Sequence, residues 1–283
     1  MAISNSAMLC TLNISIWTAR KLDKKVSQDV DTANSTMTKA GNYHKNLLAG
    51  DDSLAKIQKI AGEARSYHSR YTSPWNDNGQ RLLTTAYFLE YKRTMGDYER
   101  KFWDEVDAFL PQYTLKISAA AFQLGKLFDR DEYPEEDKVR SKFSFGISFI
   151  PVPQSGDFRV DIQAEEVAEL RRQYDEMYEY NIQKVNRDAW DRLYDTLTQL
   201  SFGLRTNDDG TKGKIYDSVY SSASELCELL RHLNINNDTQ LEDMRQRLED
   251  TIMGIDTKDI KQSDFMRVQI KKDVDAMLDK WND

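Results

Sequence analysis

The residues whose types could do chemistry are, first, the carboxylates of "DRDEYPEED": Asp129, Asp131, Glu132, Glu135, Glu136 and Asp137. Hard cations such as Ca²⁺ take clustered oxygen ligands, so a metal loop is the sharpest reading of such a run. The EF-hand pattern fails, because Tyr133 and Pro134 stand where an oxygen ligand and the turn glycine are required. A solvated helix start with Pro134 in its first turn is expected instead. A second stretch, "DDGTKGK" from Asp208 to Lys214, is glycine- and lysine-bearing like a phosphate loop, but it lacks the Gly-x4-Gly-Lys-Ser/Thr spacing and follows a helix rather than a strand. The three histidines, His44, His68 and His232, have no second His or Cys three or four residues away, the spacing that zinc sites on helices use. No Gly-x-Ser-x-Gly, Cys-x-x-Cys or dinucleotide fingerprint occurs. No catalytic, cofactor-binding or metal-ligating residue is therefore nominated, and the expectation is a protein that is not an enzyme and carries no cofactor.

Two sets of residues suit binding instead. Arg20, Lys21, Lys24 and Lys25 gather at the first helix, and Lys258, Lys261, Arg267, Lys271 and Lys272 gather near the end. With Trp17 and Tyr67 nearby they could hold single-stranded nucleic acid by phosphate contacts and base stacking. Against this, the formal net charge is −8 and the pI about 5.1, so the summed field repels phosphate, and solvated faces that balance an acidic chain are the favoured reading. The second set is aromatic. Trp103, Tyr180, Tyr194 and Phe202 fall off the apolar seams described below, and Trp190, next to Ala189, could lie on either side. Exposed aromatics of this kind suit a subunit interface.

The elements that must position these residues follow from hydrophobic period. Met8, Cys10, Leu12, Ile14 and Ile16 lie two apart, as on one face of a strand. Leu22, Val26 and Val30 then recur every four, which predicts a helix with Arg20, Lys24 and Lys25 toward water. A second helix is expected from Ser53, as N-cap, to Tyr71, stopped by Pro74 and the turn at Asn78-Gly79. A third carries the heptad-like seam Phe88, Tyr91, Met95, Tyr98, Phe102, Val106, Phe109 and ends at Pro111. A short apolar helix spans Ile117 to Leu127. Phe143, Phe145, Ile147 and Phe149 return to period two and, with Phe158, Val160 and Ile162, make a hairpin whose Pro151 and Pro153 place that end at a sheet edge.

The longest run starts at Asp161. Its stripe is Val167, Leu170, Tyr174, Tyr178, Ile182, Val185, Ala189, Leu193, Leu197, Leu200 and Leu204, in which Val167, Tyr178, Ala189 and Leu200 repeat every eleven residues. That period predicts one helix of about 60 Å, straight or slightly right-handed in supercoil, too long for a compact fold of this size to cover alone, so that it needs the Phe88 to Phe109 helix beside it, further helices, or another copy of the chain. Three helices follow, with stripes Ile215 to Leu233, Leu241 to Ile252, and Phe265, Val268, Val274, Met277, Trp281. Thr239 and Glu242 resemble a capping box.

The fold class expected is α+β and predominantly α-helical, with long antiparallel, coiled-coil-like helices and a small antiparallel sheet. Along the chain the divisions are 1–50 (strand and helix), 51–142 (helical), 143–162 (hairpin), 163–205 (long helix) and 206–283 (helical), read as one structural unit. With 40% hydrophobic residues the chain can bury one sizeable core or two smaller ones. Cys10 and Cys227 lie far apart and are expected to be reduced thiols. No window approaches the ~18 apolar residues of a membrane span, and no charged start leads into a signal h-region. A soluble, cytoplasmic protein is expected.

The stretches "LNISIWTARKLDKKV", "AGNYHKNLLAG", "SAAAFQLGKLFDRDEYP" and "PVPQSGDFRVDI" resemble a family of uncharacterised proteins of tailed bacteriophages and some plasmids. The resemblance extends over most of the chain. In that family the genes often lie near a MoxR-type AAA ATPase and a von Willebrand A-type protein, which implies a helper or substrate of such a machine working in the host bacterial cytoplasm. It supplies no catalytic residues. The functional expectation is thus a non-enzymatic phage-type assembly or adaptor protein, homo-oligomeric through its helical stripes and coupled to an AAA-type ATPase. The alternative is a single-stranded nucleic-acid-binding protein of phage DNA metabolism.

Overall fold

The computed structural model describes residues 6–153, 164–207, 209–255 and 257–281. It is α+β and mostly helical, 66% helix with a small four-stranded antiparallel sheet. In chain order β1 (Ala7–Ser15), β2 (Arg20–Leu22), α1 (Lys24–Ala33), β3 (His44–Asn46) and α2 (Ser53–Tyr71) are followed by β4 (Ser73–Pro74), β5 (Arg81–Thr84), α3 (Phe88–Phe109) and α4 (Tyr113–Leu124). Then come α5 (Glu136–Arg140), β6 (Ser144–Pro151), α6 (Ala164–Leu204), α7 (Asp217–Leu233), α8 (Thr239–Ile252), α9 (Thr257–Gln262) and α10 (Asp264–Asp279). The larger sheet has the order β4-β5-β1-β6, and β2 pairs with β3 in a second sheet. β6 with its terminal Pro151 is outermost, where a residue without an N–H costs no ladder bond. The returning strand expected at Phe158 to Ile162 lies outside the described residues.

The described chain forms two compact units, one from Leu12–Ser69 and Glu90–Ser148, the other from the described parts of Met1–Thr11, Arg70–Leu89 and Phe149–Asp283. The first has an aromatic core. The α3 seam buries Tyr91, Met95, Phe102, Val106 and Phe109. Phe102 meets Phe143 and Phe145 with ring centroids 6.4 and 5.6 Å apart, and Phe109 meets Trp17 and Tyr113 at 6.4 and 6.0 Å. Tilted and edge-on pairs at these spacings add to the apolar area that the rings remove from water.

In this unit the helix expected from Leu22 begins later. Asp23 is the N-cap of α1, its side chain accepting from the Val26 N–H at 3.0 Å, so Arg20 and Lys21 lie on β2 rather than on a helical stripe. The capping bond outweighs the continuing four-residue period. Ser53 likewise is the first residue of α2 rather than its cap, and Asp51 accepts its N–H at 2.9 Å. Lys45 on β3 is 3% exposed and pinned between Glu132 at 2.6 Å and Asp23 at 3.5 Å, with a further bond to the Leu127 carbonyl. Those acceptors hold its ammonium charged and raise its pKa against the opposing effect of burial.

The second unit combines sheet and bundle. β1 and β5 pair in the register Ala7↔Thr84 to Cys10↔Arg81, and β4 joins β5 through a turn closed by Trp75 N–H to Gln80 carbonyl at 3.0 Å. Gly79 takes φ +81° there, a conformation that costs other residues energy. Ala7, Leu9, Trp75, Leu82, Val152 and Val185 bury one core.

The second half of α6 with α7, α8 and α10 makes an up-down-up-down four-helix bundle. Arg267 near the start of α10 bonds carbonyls at the end of α6, while Trp281 beyond α10 rests on Trp190 and Tyr194, so α10 runs back along α6. The Gly203 backbone meets Lys214 and Ile215 just before α7, and Asn234 after α7 bonds Asp238 beside Trp190, so α7 is antiparallel as well. Tyr220 near the start of α7 donates to the Ile252 carbonyl at the end of α8. The bundle core takes Ala189, Leu193, Leu197, Leu200 and Leu204 from α6, at helical spacing, against buried residues of the three other helices.

Three expectations are corrected here. The single subunit does cover the α6 stripe from Val185 to Leu204, which is buried within this bundle. In α10 the inward face is Arg267, Ile270, Val274 and Met277, whereas Phe265 and Val268 are 80% and 64% exposed. The last-turn carbonyls of α6 lack helical donors, and Arg267, turned inward, supplies them: it donates to the carbonyls of Gly203 at 2.6 Å, Leu204 at 3.0 Å and Gly213 at 2.7 Å. Finally, Asp238 rather than Thr239 caps α8, accepting from the Gln240 and Leu241 N–H groups, and Glu242 is drawn to Arg245 at 2.7 Å instead.

Candidate interaction surfaces

The first half of α6 is built differently from the second. From 165 to 180 no residue is buried, a length of about 24 Å at the standard helical rise. Val167, Leu170, Tyr174 and Tyr178 continue the apolar stripe but are only half-buried, while Met177 and Tyr180 are 52% and 63% exposed. Tyr178 packs edge-on against Trp75 at 5.7 Å, and Tyr174 donates to the Pro153 carbonyl. Around the stripe stand Glu165, Glu166, Glu169, Asp175, Glu176 and Glu179 against Arg171 and Arg172. Glu169 holds Arg172 at 2.8 Å, and that bond keeps the Glu169 carboxyl below its ordinary range. Exposed pairs of this kind, screened by solvent, stabilise a helix far less than a buried face does.

The basic cluster is real as a surface. Arg20, Lys21, Lys24 and Lys25 are all exposed. Among the described residues none of them stands in an ion pair. Beside them a groove of about 430 Å³ is lined by Leu22, Lys24, Ser27, Gln28, Met37 and Lys39, with Met37 99% exposed. The C-terminal basic set is not a comparable patch. Arg267 is buried in the bundle, Lys261 pairs with Asp217 at 2.9 Å, and Lys271 with Asp275 at 2.5 Å.

The five aromatic candidates divide. Trp103 packs edge-on to Phe102 at 5.5 Å and lies 5.6 Å from the Arg140 guanidinium. Trp190 donates its indole N–H to Asp238 at 3.0 Å and meets Trp281 at 5.0 Å. Both are taken up within their own units. Tyr180, Tyr194 and Phe202 are exposed, Phe202 under the Arg205 guanidinium at 3.4 Å. Sequence reasoning missed the cleft of about 550 Å³ lined by Trp190, Trp281, Met244, Thr239, Asp243 and Lys280; two indoles ninety-one residues apart carry no periodic signal of being neighbours.

Several of the residues weighed for chemistry make contacts within the fold, and Asp208 lies outside the described residues. In the acidic run, Asp129 accepts from the Asp131 N–H at 3.0 Å, Glu132 binds Lys45, and Glu136 and Asp137 occupy the first turn of α5, where negative charge suits the helix dipole. Among the described residues no three His, Cys, Asp or Glu side chains are grouped to hold a metal. His44 is exposed, His68 lies buried with Nδ1 2.6 Å from the Tyr91 hydroxyl, and His232 packs edge-on to Tyr87 at 4.8 Å. Gly213 of the lysine-rich loop permits a close backbone approach: a Cβ there would sit 2.7 Å from the Gly203 carbonyl. Cys10 and Cys227 are buried thiols not joined in a disulfide, and burial pushes the Cys227 thiol up to about 12. No helix is long and apolar enough to cross a membrane among the described residues. Compared with known proteins, the chain matches no family model, no curated protein and no solved structure.

Proposed function

We propose that the chain is a non-enzymatic assembly or adaptor protein that associates with further copies of itself. The observation that carries this is the first half of α6, whose apolar stripe continues for about 24 Å with no buried residue between 165 and 180. Its cover among the described residues is only partial, with Val167, Leu170, Tyr174 and Tyr178 half-buried, whereas helices in proteins take most of their stability from a packed apolar face, and its exposed Met177 and Tyr180 are residue types enriched at interfaces. The resemblance to tailed-phage and plasmid proteins adds the rest of the reading: a viral origin, the host bacterial cytoplasm as the place of action, and a MoxR-type AAA ATPase as the machine served. Size-exclusion chromatography with light scattering tests it. At tens of micromolar the mass should be a multiple of 32.9 kDa; a strict monomer overturns self-association.

A second reading, single-stranded nucleic-acid binding, is favoured by one observation, the exposed Arg20, Lys21, Lys24 and Lys25 with no ion pair among the described residues. It predicts binding to a labelled oligonucleotide that weakens steeply with salt and disappears on charge reversal at Lys21, Lys24 and Lys25. Binding that ignores those changes removes this reading.

A further inference from the structure

Resting on the self-association just proposed, we infer its geometry: the acidic first half of α6 in one copy docks on the basic β2–α1 corner of the next, a head-to-tail contact between two different patches. The charges argue for this pairing and against a two-fold one. Between 165 and 180 six carboxylates face two guanidiniums, so pairing this segment with itself would bring two strongly acidic helices together, a like-charge arrangement that costs free energy.

From 20 to 25 four cations stand with only Asp23, and that carboxylate is already engaged by the Val26 N–H and by buried Lys45. The apolar parts match too. The α6 stripe needs a greasy landing place, and the basic corner offers one in Met37, 99% exposed beside its groove, and Val30, 50% exposed on α1.

Because the two patches differ, each copy keeps one of each free after a single contact. Such heterologous contacts close into a ring or run on as a filament according to the rotation between copies. Pairing between exposed charges is screened within about 8 Å at physiological salt, so raising the salt from 0.15 to 0.5 M should weaken association about tenfold.

The test uses two charge-reversed full-length variants. One carries Glu165→Lys, Glu166→Lys and Glu179→Lys, carboxylates with no ion pair among the described residues; the other carries Lys21→Glu, Lys24→Glu and Lys25→Glu. Circular dichroism checks that each folds, and light scattering reads the mass. Each variant alone should associate at least tenfold more weakly than the parent, and an equimolar mixture of the two should recover association, since every acidic patch then finds a basic one. A parent chain that stays monomeric overturns the self-association reading itself. A parent that associates while both variants associate equally well overturns only the head-to-tail geometry. Loss in both variants without recovery on mixing also overturns it.

Discussion

The two halves of α6 carry one continuous stripe at one period, yet from Val185 to Leu204 that stripe is the buried spine of a four-helix bundle, and from 165 to 180 nothing is buried. The difference teaches that periodicity fixes which face of a helix is apolar and leaves open what covers it. In the second half α7, α8 and α10 do so within the chain. In the first half a partner copy is the proposed cover, and substitutions along the one helix should separate the two cases.

The largest effect is expected in the bundle. Leu197 is 0% exposed, so Leu197→Ala should lower stability by about 3 kcal/mol, the transfer loss plus the cavity left behind, seen in urea denaturation followed by circular dichroism. Next is Arg267→Met. It strips donors from four carbonyls, those of Gly203, Leu204, Arg205 and Gly213, and should cost about 2 kcal/mol, since unsatisfied buried carbonyls are expensive; an unchanged midpoint would mean that water replaces the guanidinium. Leu170→Ala in the outer half should change monomer stability by less than about 0.5 kcal/mol, as surface substitutions do, while weakening association. A loss as large as that at Leu197 would show that the outer half is covered within the chain after all.

Acid sharpens the contrast further. In the bundle Arg245, 4% exposed, lies 2.7 Å from both Glu242 and Glu249, and its hydrogen bonds hold the Glu242 carboxyl below the ordinary range, as those of Arg231 and Arg245 hold Glu249. Folded-state pKa values depressed in this way contribute stability that is fully present above the unfolded value, about 4.3, and lost as pH falls through the folded values. The melting temperature should therefore drop below about pH 4, and Arg245→Met should flatten that slope. The smallest effect is chemical. With its thiol at about 12, Cys227 should resist alkylation at pH 8 until the bundle unfolds; rapid labelling of the native protein would mean that the bundle opens locally.

Much of this architecture was legible in the sequence where elements are long. The seams of α3 and α6 run for many turns, so the helical period is unmistakable, and the α+β, mostly helical class follows from them. β2 to β5 were not legible, because strands of two to four residues have too few alternations to show a period. Caps misled by one residue at Ser53 and Thr239, since the Ser53 hydroxyl is spent as a donor to Asp51 and Asp238 takes the Gln240 and Leu241 N–H groups at the start of α8. Buried Lys45 and Arg267 could not be read, because what draws a cation inward is a set of carbonyls and carboxylates brought together only by tertiary structure. Among the candidate interface residues, lying off a seam went with exposure for Tyr180, Tyr194 and Phe202 but not for Trp103, which is half-buried; Trp190, open to either side from its place beside Ala189, is half-buried in the bundle. A large indole beside a seam reaches neighbouring grooves.

Hydrogen exchange along α6, measured at about 1 and about 100 µM, tests the central claim most directly, because amide protection reports local opening. The account predicts slow exchange from 185 to 204 at both concentrations, and exchange from 165 to 180 that is fast in the dilute protein and slows as copies associate. Protection of 165 to 180 that is already high when dilute, or that stays low at the higher concentration, would contradict it.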